Sequence, residues 1–233
     1  ELQREPMQRA VLVCRMFREM AESFGVKEII AVATSATRDA RNQRKFLRTL
    51  KREAGLDVKV VSGLEEGRLI YLGVASGIKI DELAFFIDIG GGSTEVIVGG
   101  QHEYEYVDSL SLGAIRLTNQ FLENHKGPVS QEMYSRIQNY IRDSAIRAIQ
   151  ELKKYNLSMA VGSSGTIENL ADIAILAATG RRRTMDDAMT YKQLRKVVRM
   201  LRSLPLEERR KVPGINPDRA DIIIAGAAII DTL

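Results

Sequence analysis

The chain has 233 residues, of which 45% are hydrophobic and 27% are charged, a balance typical of a globular protein with one large or two small domains. Its single cysteine excludes an internal disulfide framework and a multi-cysteine metal site, and no apolar stretch reaches the ~18 residues that span a bilayer. The net charge of +4 is compatible with a polyanionic partner, but on charge alone an ordinary surface with slightly more Lys and Arg is favoured, and no zinc-finger spacing or basic heptad indicates nucleic acid. We therefore expect a cytoplasmic protein with no membrane association and no nucleic-acid partner.

The first part of the chain alternates helix and strand patterns. The predicted elements are helices over 7–24, 43–54 and 64–76 and strands over 28–33 and 57–61. Gly25 and Gly55 directly follow two of the helices, where glycine commonly forms the C-cap. The alternation predicts an α/β lobe with a largely parallel sheet.

Beyond residue 77 the pattern changes to short strands separated by glycine-rich or polar turns. Strand-like runs over 84–89, 93–98 and 105–112 predict an antiparallel meander. The remaining predicted elements are a strand over 158–161 and helices over 113–123, 130–154, 166–178, 190–203, 206–211 and 218–232. We place the boundary between two lobes near residue 80.

The segment Phe86–Val98 combines a buried strand, three successive glycines and two acids. Glycines let backbone N–H groups approach a phosphate closely and form an anion-binding nest. Asp88 and Glu95 flank the turn, and carboxylates at such a turn can hold Mg²⁺, which favours oxygen ligands. A hairpin with a glycine bulge and an exposed Asp is the alternative, and the residues alone leave both open.

A second glycine-rich turn, Gly162–Thr166, lies between a predicted strand and a predicted helix. A helix N-terminus presents unpaired N–H groups and the positive end of the helix dipole to an anion. Routine capping of the helix by Ser164 or Thr166 is the alternative. Neither glycine-rich turn has the spacing of a P-loop or of a dinucleotide-binding loop, which argues against the two commonest nucleotide folds.

Two further turns carry charged groups at strand ends. Glu65 and Glu66 open a helix after a strand, where acids suit the helix dipole and where one acid could act as the general base for a water. Arg38 lies in a turn with hydroxyl side chains and can clamp a phosphate, although a single surface arginine is usually only solvated. All four segments lie where open α/β sheets bind ligands.

Five segments, in the order ATSATRDARN, VVSGLEEGRLIYLGV, FIDIGGGSTEVIVG, SLSLGAIRLT and AVGSSGTIENLA, resemble those of the Ppx/GppA family of exopolyphosphatases and guanosine pentaphosphate phosphatases. The resemblance implies an α/β protein with the two-lobed actin-like ATPase (ribonuclease-H-like) fold, one lobe over 1–80 and the second over 81–233. It also implies Mg²⁺-dependent release of terminal phosphate from inorganic polyphosphate or guanosine pentaphosphate, with Glu66 as the base and Asp88 and Glu95 as metal ligands. The implied phosphate-binding residues are Arg38, Gly90, Gly91, Gly92, Ser93, Gly162, Ser163, Ser164, Gly165 and Thr166.

The sequence also departs from the family pattern. The family's first phosphate loop, an Asp-x-Gly-Ser-Asn-Ser hairpin, has no counterpart, and the chain begins with Glu1 and stops at Leu233 directly after an apolar run. We therefore expect a fragment whose N-terminal lobe is incomplete and which is weakly active or inactive by itself. A homodimer is common among the family's longer members, so the resemblance allows one here.

Two rival functions stay open at this point. A sugar kinase or ATPase of the same fold would use the glycine-rich turns to hold ATP, and a non-catalytic module would sense a nucleotide or polyphosphate. The basic runs Arg181–Arg183 and Arg209–Lys211 could guide a polyanion, although such runs are more often solvated faces.

Overall fold

The computed structural model describes residues 1–233 and divides into two compact units, Glu1–Glu66 and Gly67–Leu233. None of its helices combines the length and the apolar character that crossing a membrane requires. The lobe boundary near residue 80 comes from the sequence pattern, whereas these units are defined by compactness, so the lobe boundary stays a prediction.

The first unit contains a two-stranded parallel sheet. Its elements are α1 (Arg4–Ser23), β1 (Ala31–Ala33), α2 (Ser35–Arg38), α3 (Gln43–Thr49), a π-helical segment (Leu50–Ala54) that continues α3, and β2 (Val58–Val60). Ala31 pairs with Val58, which confirms the predicted parallel pairing of the two strands. Gly55 ends the π-helical segment with a φ of +68°, the left-handed conformation that glycine adopts without steric cost.

A small apolar core joins α1 to the helix that runs from α3 into the π-helical segment. Phe46, Leu50 and Ala54 recur every four residues, so they lie on one side of this helix. They pack with Val11 of α1, and Cys14 is partly buried against the same core. The charged residues between them consequently fall on the exposed side of the helix.

The second unit contains a four-stranded mixed sheet. Its strands are β3 (Ala84–Ile89), β4 (Thr94–Gly99), β5 (Tyr104–Leu110) and β6 (Met159–Ser163). Their order is β5-β4-β3-β6, with β3 antiparallel to β4, β4 antiparallel to β5, and β3 parallel to β6. The predicted meander is therefore confirmed, and the parallel strand β6 makes the sheet mixed.

Helices pack on both faces of this sheet. The remaining helices of the chain are α4 (Gly63–Ala75), α5 (Ala114–Phe121), α6 (Gln131–Ser144), α7 (Ile146–Leu152), α8 (Ser164–Thr179), α9 (Tyr191–Ser203), α10 (Leu206–Arg209) and α11 (Ile223–Ile230), with a 3-10 turn at Pro217–Arg219. Phe86 packs with Tyr71 of α4, whereas Ile87 and Ile89 join the larger core. Because successive side chains of a strand point to opposite faces, β3 is buried on both sides, which accounts for its apolar sequence.

The single helix predicted over 130–154 is interrupted. Ala145 has left the helical region, with φ −104° and ψ 11°, and it separates α6 from α7. No glycine or proline stands at this position, so the apolar spacing continues through the break and predicts an unbroken helix.

Candidate active site

A row of four polar side chains crosses the sheet of the second unit. Asp88 of β3 lies opposite Glu95 of β4 and Ser163 of β6, and Glu95 lies opposite Ser109 of β5. Residues that pair across strands project from the same face, so the four side chains lie side by side. Ser163 Oγ donates to Asp88 Oδ2, and Ser109 Oγ donates to Glu95 Oε1 at 2.8 Å. A serine hydroxyl therefore orients each acid.

Glu95 is almost fully buried, with 1% of its surface exposed, beneath the start of α4. A Cβ added to Gly67 of α4 would lie 2.8 Å from Val107 Cγ2 and 3.6 Å from Glu95 Cγ. Glycine therefore lets the helix approach the sheet without displacing Val107. The sequence signal for this contact is the glycine that follows two acids in SGLEEGR, which the motif analysis did not single out.

The three-glycine turn between β3 and β4 is held by the first turn of α5. Ala114 N donates to Gly90 O at 2.9 Å, Ile115 N and Arg116 N donate to Gly91 O at 3.0 Å, and Arg116 Nε donates to Gly92 O at 2.8 Å. All peptides are trans, so the N–H that follows each carbonyl points the opposite way. The amide N–H groups of residues 91–93 therefore point away from α5. Successive N–H groups with a common direction form an anion-binding nest.

Gly113 completes this arrangement, and the sequence motifs did not assign it a role. An added Cβ would lie 2.4 Å from Gly91 O and 2.5 Å from Gly92 N. Both are backbone atoms, so they cannot move without displacing the turn. The sequence signal is the position of this glycine directly before the first helical residue in SLSLGAIRLT.

The turn from β6 to α8 brings Ser164 against the end of β3. Ser164 has a φ of +73°, in the left-handed region that residues other than glycine rarely adopt. Its Oγ donates to Ile89 O at 2.7 Å and accepts from Ile89 N at 3.2 Å. These two hydrogen bonds tie the second glycine-rich turn to the strand that leads into the first.

The two glycine-rich turns line one cleft of about 380 Å³ in the second unit. Gly90 and Gly91 contribute from one turn, Gly165 from the other, and Arg219 of the 3-10 turn lies among them. An added Cβ at Gly165 would lie 2.3 Å from Arg219 Cζ, so the guanidinium rests directly on this glycine. The exposed side chain of Asp218 supplies an opposing charge at the same cleft. A guanidinium beside the backbone of two glycine-rich turns suits an anionic ligand, whereas Gly92 and Ser93 do not line this cleft.

Five predicted phosphate-binding residues of the glycine-rich turns lie outside the lining of the cleft, namely Gly92, Ser93, Gly162, Ser163 and Thr166. An added Cβ at Gly162 would lie 2.4 Å from Ile167 Cγ2, so this glycine lets the helix start pack closely. Thr166 is 1% exposed, and an added Cβ at Gly226 of α11 would lie 2.5 Å from its Cγ2. The phosphate contacts of Gly162 and Thr166 stay predictions, and in this structure both residues support packing.

Arg38 and Glu66 form an ion pair within the first unit. The segment predicted as a polar turn contains the one-turn helix α2, which ends at Arg38. Arg38 Nη1 donates to Glu66 Oε2 at 2.9 Å and to Val61 O at 3.1 Å. Only 23% and 15% of the two side chains are exposed, so water screens the pair less than it screens a surface pair. The structure thus brings together two charged groups that the sequence assigned to one site.

The residues of the basic run Arg209–Lys211 form hydrogen bonds and ion pairs within the second unit. Arg209 is buried and donates to the backbone carbonyl oxygens of Leu201, Leu204 and Ala220. Burial lowers the pKa of the Arg209 guanidinium from its ordinary value. Arg210 and Lys211 each pair with an acid three residues earlier. The run therefore stabilises this region and offers no continuous basic surface.

The basic run Arg181–Arg183 also forms ion pairs with nearby acids. Two nitrogens of Arg181 donate to Asp187 at 2.7 Å each, and Thr184 donates to the same carboxylate. These hydrogen bonds, from Arg181 above all, hold the pKa of Asp187 well below its usual range. Arg183 Nε pairs with Asp172 at 2.7 Å. Two of the three arginines are therefore held by acids in their own region.

Asp88 and Glu95 are the residues that could hold a metal ion. Their side chains offer only oxygen donors, which suits Mg²⁺. No cluster of three or more His, Cys, Asp or Glu side chains forms an all-protein metal site in the molecule. Mg²⁺ commonly takes one or two carboxylates together with phosphate oxygens and waters. The pair therefore fits Mg²⁺ bound jointly with a phosphate-containing substrate.

Comparisons with known proteins agree with this fold. Residues 1–233 match the Ppx/GppA phosphatase family. An exopolyphosphatase from Cytophaga hutchinsonii is 25% identical, with a TM-score of 0.90 over 99% of this chain and 75% of that one. The PPX-GPPA enzyme of Aquifex aeolicus is 30% identical, with a TM-score of 0.79 over 100% of this chain and 76% of that one. A further structure of the Aquifex aeolicus family member is 31% identical, with a TM-score of 0.78 over 100% of this chain and 74% of that one.

The sheet topology and the similarity to solved structures define an α/β protein with the fold of the exopolyphosphatases. The match over the whole length then identifies the family, and the chain belongs to the Ppx/GppA phosphatase family. The predicted fold class and family are therefore confirmed.

Proposed function

We propose that the protein is a Mg²⁺-dependent phosphohydrolase that releases the terminal phosphate of inorganic polyphosphate, of guanosine pentaphosphate, or of both. The observation that carries the proposal is the cleft in which two glycine-rich turns meet Arg219. The N–H groups of residues 91–93 and the guanidinium would neutralise charge on the transferred phosphoryl group. The similar structures named exopolyphosphatase and PPX-GPPA enzyme support this substrate class.

Glu66 is proposed to act as the general base. Its Oε2 accepts from Arg38, which orients the carboxylate and leaves Oε1 to accept the proton of a water. The water oxygen attacks the terminal phosphorus, the bridging P–O bond breaks, and the leaving oxygen keeps the electron pair. The products are orthophosphate and a substrate shortened by one phosphate, with no covalent enzyme intermediate.

Asp88 and Glu95 are proposed to hold the Mg²⁺ that neutralises charge on the substrate phosphates. Ser163 and Ser109 would keep the two carboxylates oriented through the hydrogen bonds that they donate. The turn between β3 and β4 would bind phosphoryl oxygens through its amides. Catalysis would therefore rest on positioning and electrostatic stabilisation, as in other phosphoryl transfers.

The test measures phosphate release from polyphosphate and from guanosine pentaphosphate by the full natural protein, with and without Mg²⁺. In the Glu66→Gln variant we expect release to fall by about 10²–10⁴-fold while substrate binding is retained. Glu65→Gln changes the neighbouring acid of the same helical turn and serves as the matched control, with release close to wild type. The ratio of the rates of phosphate release from the two substrates shows which one the enzyme prefers.

The other outcomes select among the rival functions. Equal loss of release in the Glu65 and Glu66 variants would contradict the assignment of the base. Tight binding of both substrates without release would favour the sensor, and ATP-dependent phosphorylation of a small acceptor would favour the kinase-like enzyme. Release that persists after chelation of divalent cations would contradict the metal dependence.

A further inference from the structure

A stripe of basic side chains lies on the exposed side of the helix formed by α3 and the π-helical segment. This basic stripe consists of Arg41, Arg44, Lys45, Arg48, Lys51 and Arg52, all of them exposed. Arg41 lies in the turn before α3, and the others follow at spacings of three or four residues. Such spacing puts side chains on one side of a helix, opposite the side that Phe46 and Leu50 bury in the core.

The ion pairs formed by the basic stripe lie at its C-terminal end. Lys51 Nζ lies 2.9 Å from Asp57 Oδ2, and Arg52 pairs with Glu53. The structure contains no ion pair for the other four cations, which are Arg41, Arg44, Lys45 and Arg48. Like charges three or four residues apart destabilise a helix, so an extended polyanion would relieve this repulsion.

We propose that the basic stripe binds the extended chain of inorganic polyphosphate outside the site of cleavage. This inference rests on the proposed function, because it assigns the stripe to the substrate of the same enzyme. Arg44 and Arg52 are separated by about 12 Å at a helical rise of 1.5 Å per residue, and Arg41 extends the row beyond the start of α3. A row of cations of this length complements a linear chain of phosphates through charge alone.

The surroundings of the basic stripe favour polyphosphate over the two other common polyanions. Single-stranded nucleic acid is usually held by aromatic side chains on which bases stack, and the stripe contains none, since Phe46 is buried. A helix that lies on an anionic membrane exposes an apolar face beside its cations. The apolar face of this helix is instead buried against α1.

The proposal has a consequence for substrate length. Only a polyphosphate much longer than three units can contact the basic stripe over its whole length. Tripolyphosphate and guanosine pentaphosphate are too short to do so, and their affinity would not depend on the stripe. The stripe would therefore increase affinity for long chains selectively.

The test compares two variants that each lose four cations. The stripe variant carries R41Q, R44Q, K45Q and R48Q. The control variant carries R147Q, K153Q, K192Q and K196Q, which removes exposed cations of the second unit. Binding of long-chain polyphosphate, tripolyphosphate, single-stranded DNA and phosphatidylserine vesicles is measured without divalent cations, at several salt concentrations. Melting temperatures establish that both variants are folded.

In the stripe variant we expect the Kd for long-chain polyphosphate to rise at least about tenfold and its salt dependence to flatten, because fewer counterions are exchanged on binding. The control variant and the binding of tripolyphosphate should change by less than about twofold, since a few surface cations contribute little by themselves. Equal affinity of the two variants for long chains, or an equal loss for tripolyphosphate, would overturn the proposal.

Two further outcomes also bear on the proposal. Stripe-dependent binding of DNA or of vesicles that is tighter than binding of polyphosphate would overturn it in favour of that partner. Because binding is measured without turnover, a protein that binds long chains through the stripe but releases no phosphate would support the stripe and contradict the proposed reaction. Failure of the stripe proposal and failure of the proposed hydrolase reaction can therefore be distinguished.

Discussion

Ser109 and Ser163 flank the two acids of the sheet, and each donates its hydroxyl hydrogen to one of them. Glu95 is the more buried acid, and a buried carboxylate is costly unless hydrogen bonds compensate for the lost water. Ser109 lies directly opposite Glu95 on the neighbouring strand, so its hydroxyl can stabilise the negative charge of the Glu95 carboxylate. One serine hydroxyl therefore positions each of the two proposed metal ligands.

Ser109→Ala should weaken metal binding and lower stability. The change removes one of the donors to Glu95, so we expect Mn²⁺ affinity, read by electron paramagnetic resonance, to fall about tenfold, as is usual when a residue that orients a ligand is lost. The free energy of unfolding in urea should fall by about 1–3 kcal/mol. Ser109→Thr keeps the hydroxyl and should restore both quantities. Unchanged Mn²⁺ affinity in Ser109→Ala would contradict a positioning role.

At the scale of elements, the contact between α5 and the turn joining β3 to β4 determines the direction of the turn's amides. The first-turn N–H groups of α5 are occupied by the carbonyl oxygens of Gly90 and Gly91. The helix therefore uses its unpaired donors to hold a loop, and the loop presents its own donors on the opposite side. Gly113 allows this approach, because any side chain there would meet the backbone of the turn.

Gly113→Ala should impair phosphate binding more than it impairs folding. The added methyl group would overlap Gly91 O, so the turn must shift, at a cost of about 1–3 kcal/mol in the free energy of unfolding. We expect phosphate release to fall at least about tenfold, because catalysis by oriented N–H groups is sensitive to small displacements. Gly73→Ala in α4, where an added Cβ meets nothing within 4 Å, is the control and should keep full activity. Full activity of Gly113→Ala would show that the orientation of the turn is unimportant.

At the scale of the whole molecule, buried and partly buried tyrosines make stability depend on alkaline pH. Burial, together with the neighbouring Asp231, raises the pKa of Tyr134 above its usual value of 10.0. Burial and Asp108 raise the pKa of Tyr106 in the same way. A group whose pKa is higher in the folded state contributes stability that is fully present below its unfolded pKa. That stability is lost as pH rises towards the folded value, since the unfolded chain ionises first.

The free energy of unfolding should therefore decrease as pH rises above about 10. Tyr134→Phe removes one of the tyrosines whose pKa is raised, so its stability should decrease less steeply over the same range. At neutral pH the same variant should be less stable by about 1 kcal/mol, because the hydrogen bond to Asp231 is lost. The exposed Tyr104→Phe is the control, and urea unfolding at a series of pH values gives the slopes. Equal slopes for wild type and Tyr134→Phe would contradict the assignment.

Local patterns in the chain were sufficient for much of the fold. The strand over 84–89, the meander that follows it and the glycine after residue 54 were all predicted, because alternation and turn residues act over short distances. The break at Ala145 could not be predicted, since no residue there disfavours a helix. Apolar spacing along α1 also did not distinguish its buried side from its exposed one, and Phe17 is 63% exposed. A pattern shows that a stripe is apolar without showing which element covers it.

For the candidate site as well, some features could be predicted from the sequence and others depended on the tertiary structure. The acids, the glycine-rich turns and Arg38 could be nominated from residue types at turns, and the family resemblance assigned their roles, but the pairing of Arg38 with Glu66 was seen only in the structure. The contribution of Arg219 to the cleft and the packing role of Thr166 depended on helices that meet only in the folded chain. Asp88 and Ser163 are 75 residues apart in sequence and paired in the sheet. Such a pairing follows from strand register and packing, which no local pattern specifies, because the free energy that selects it comes from burial of the whole core.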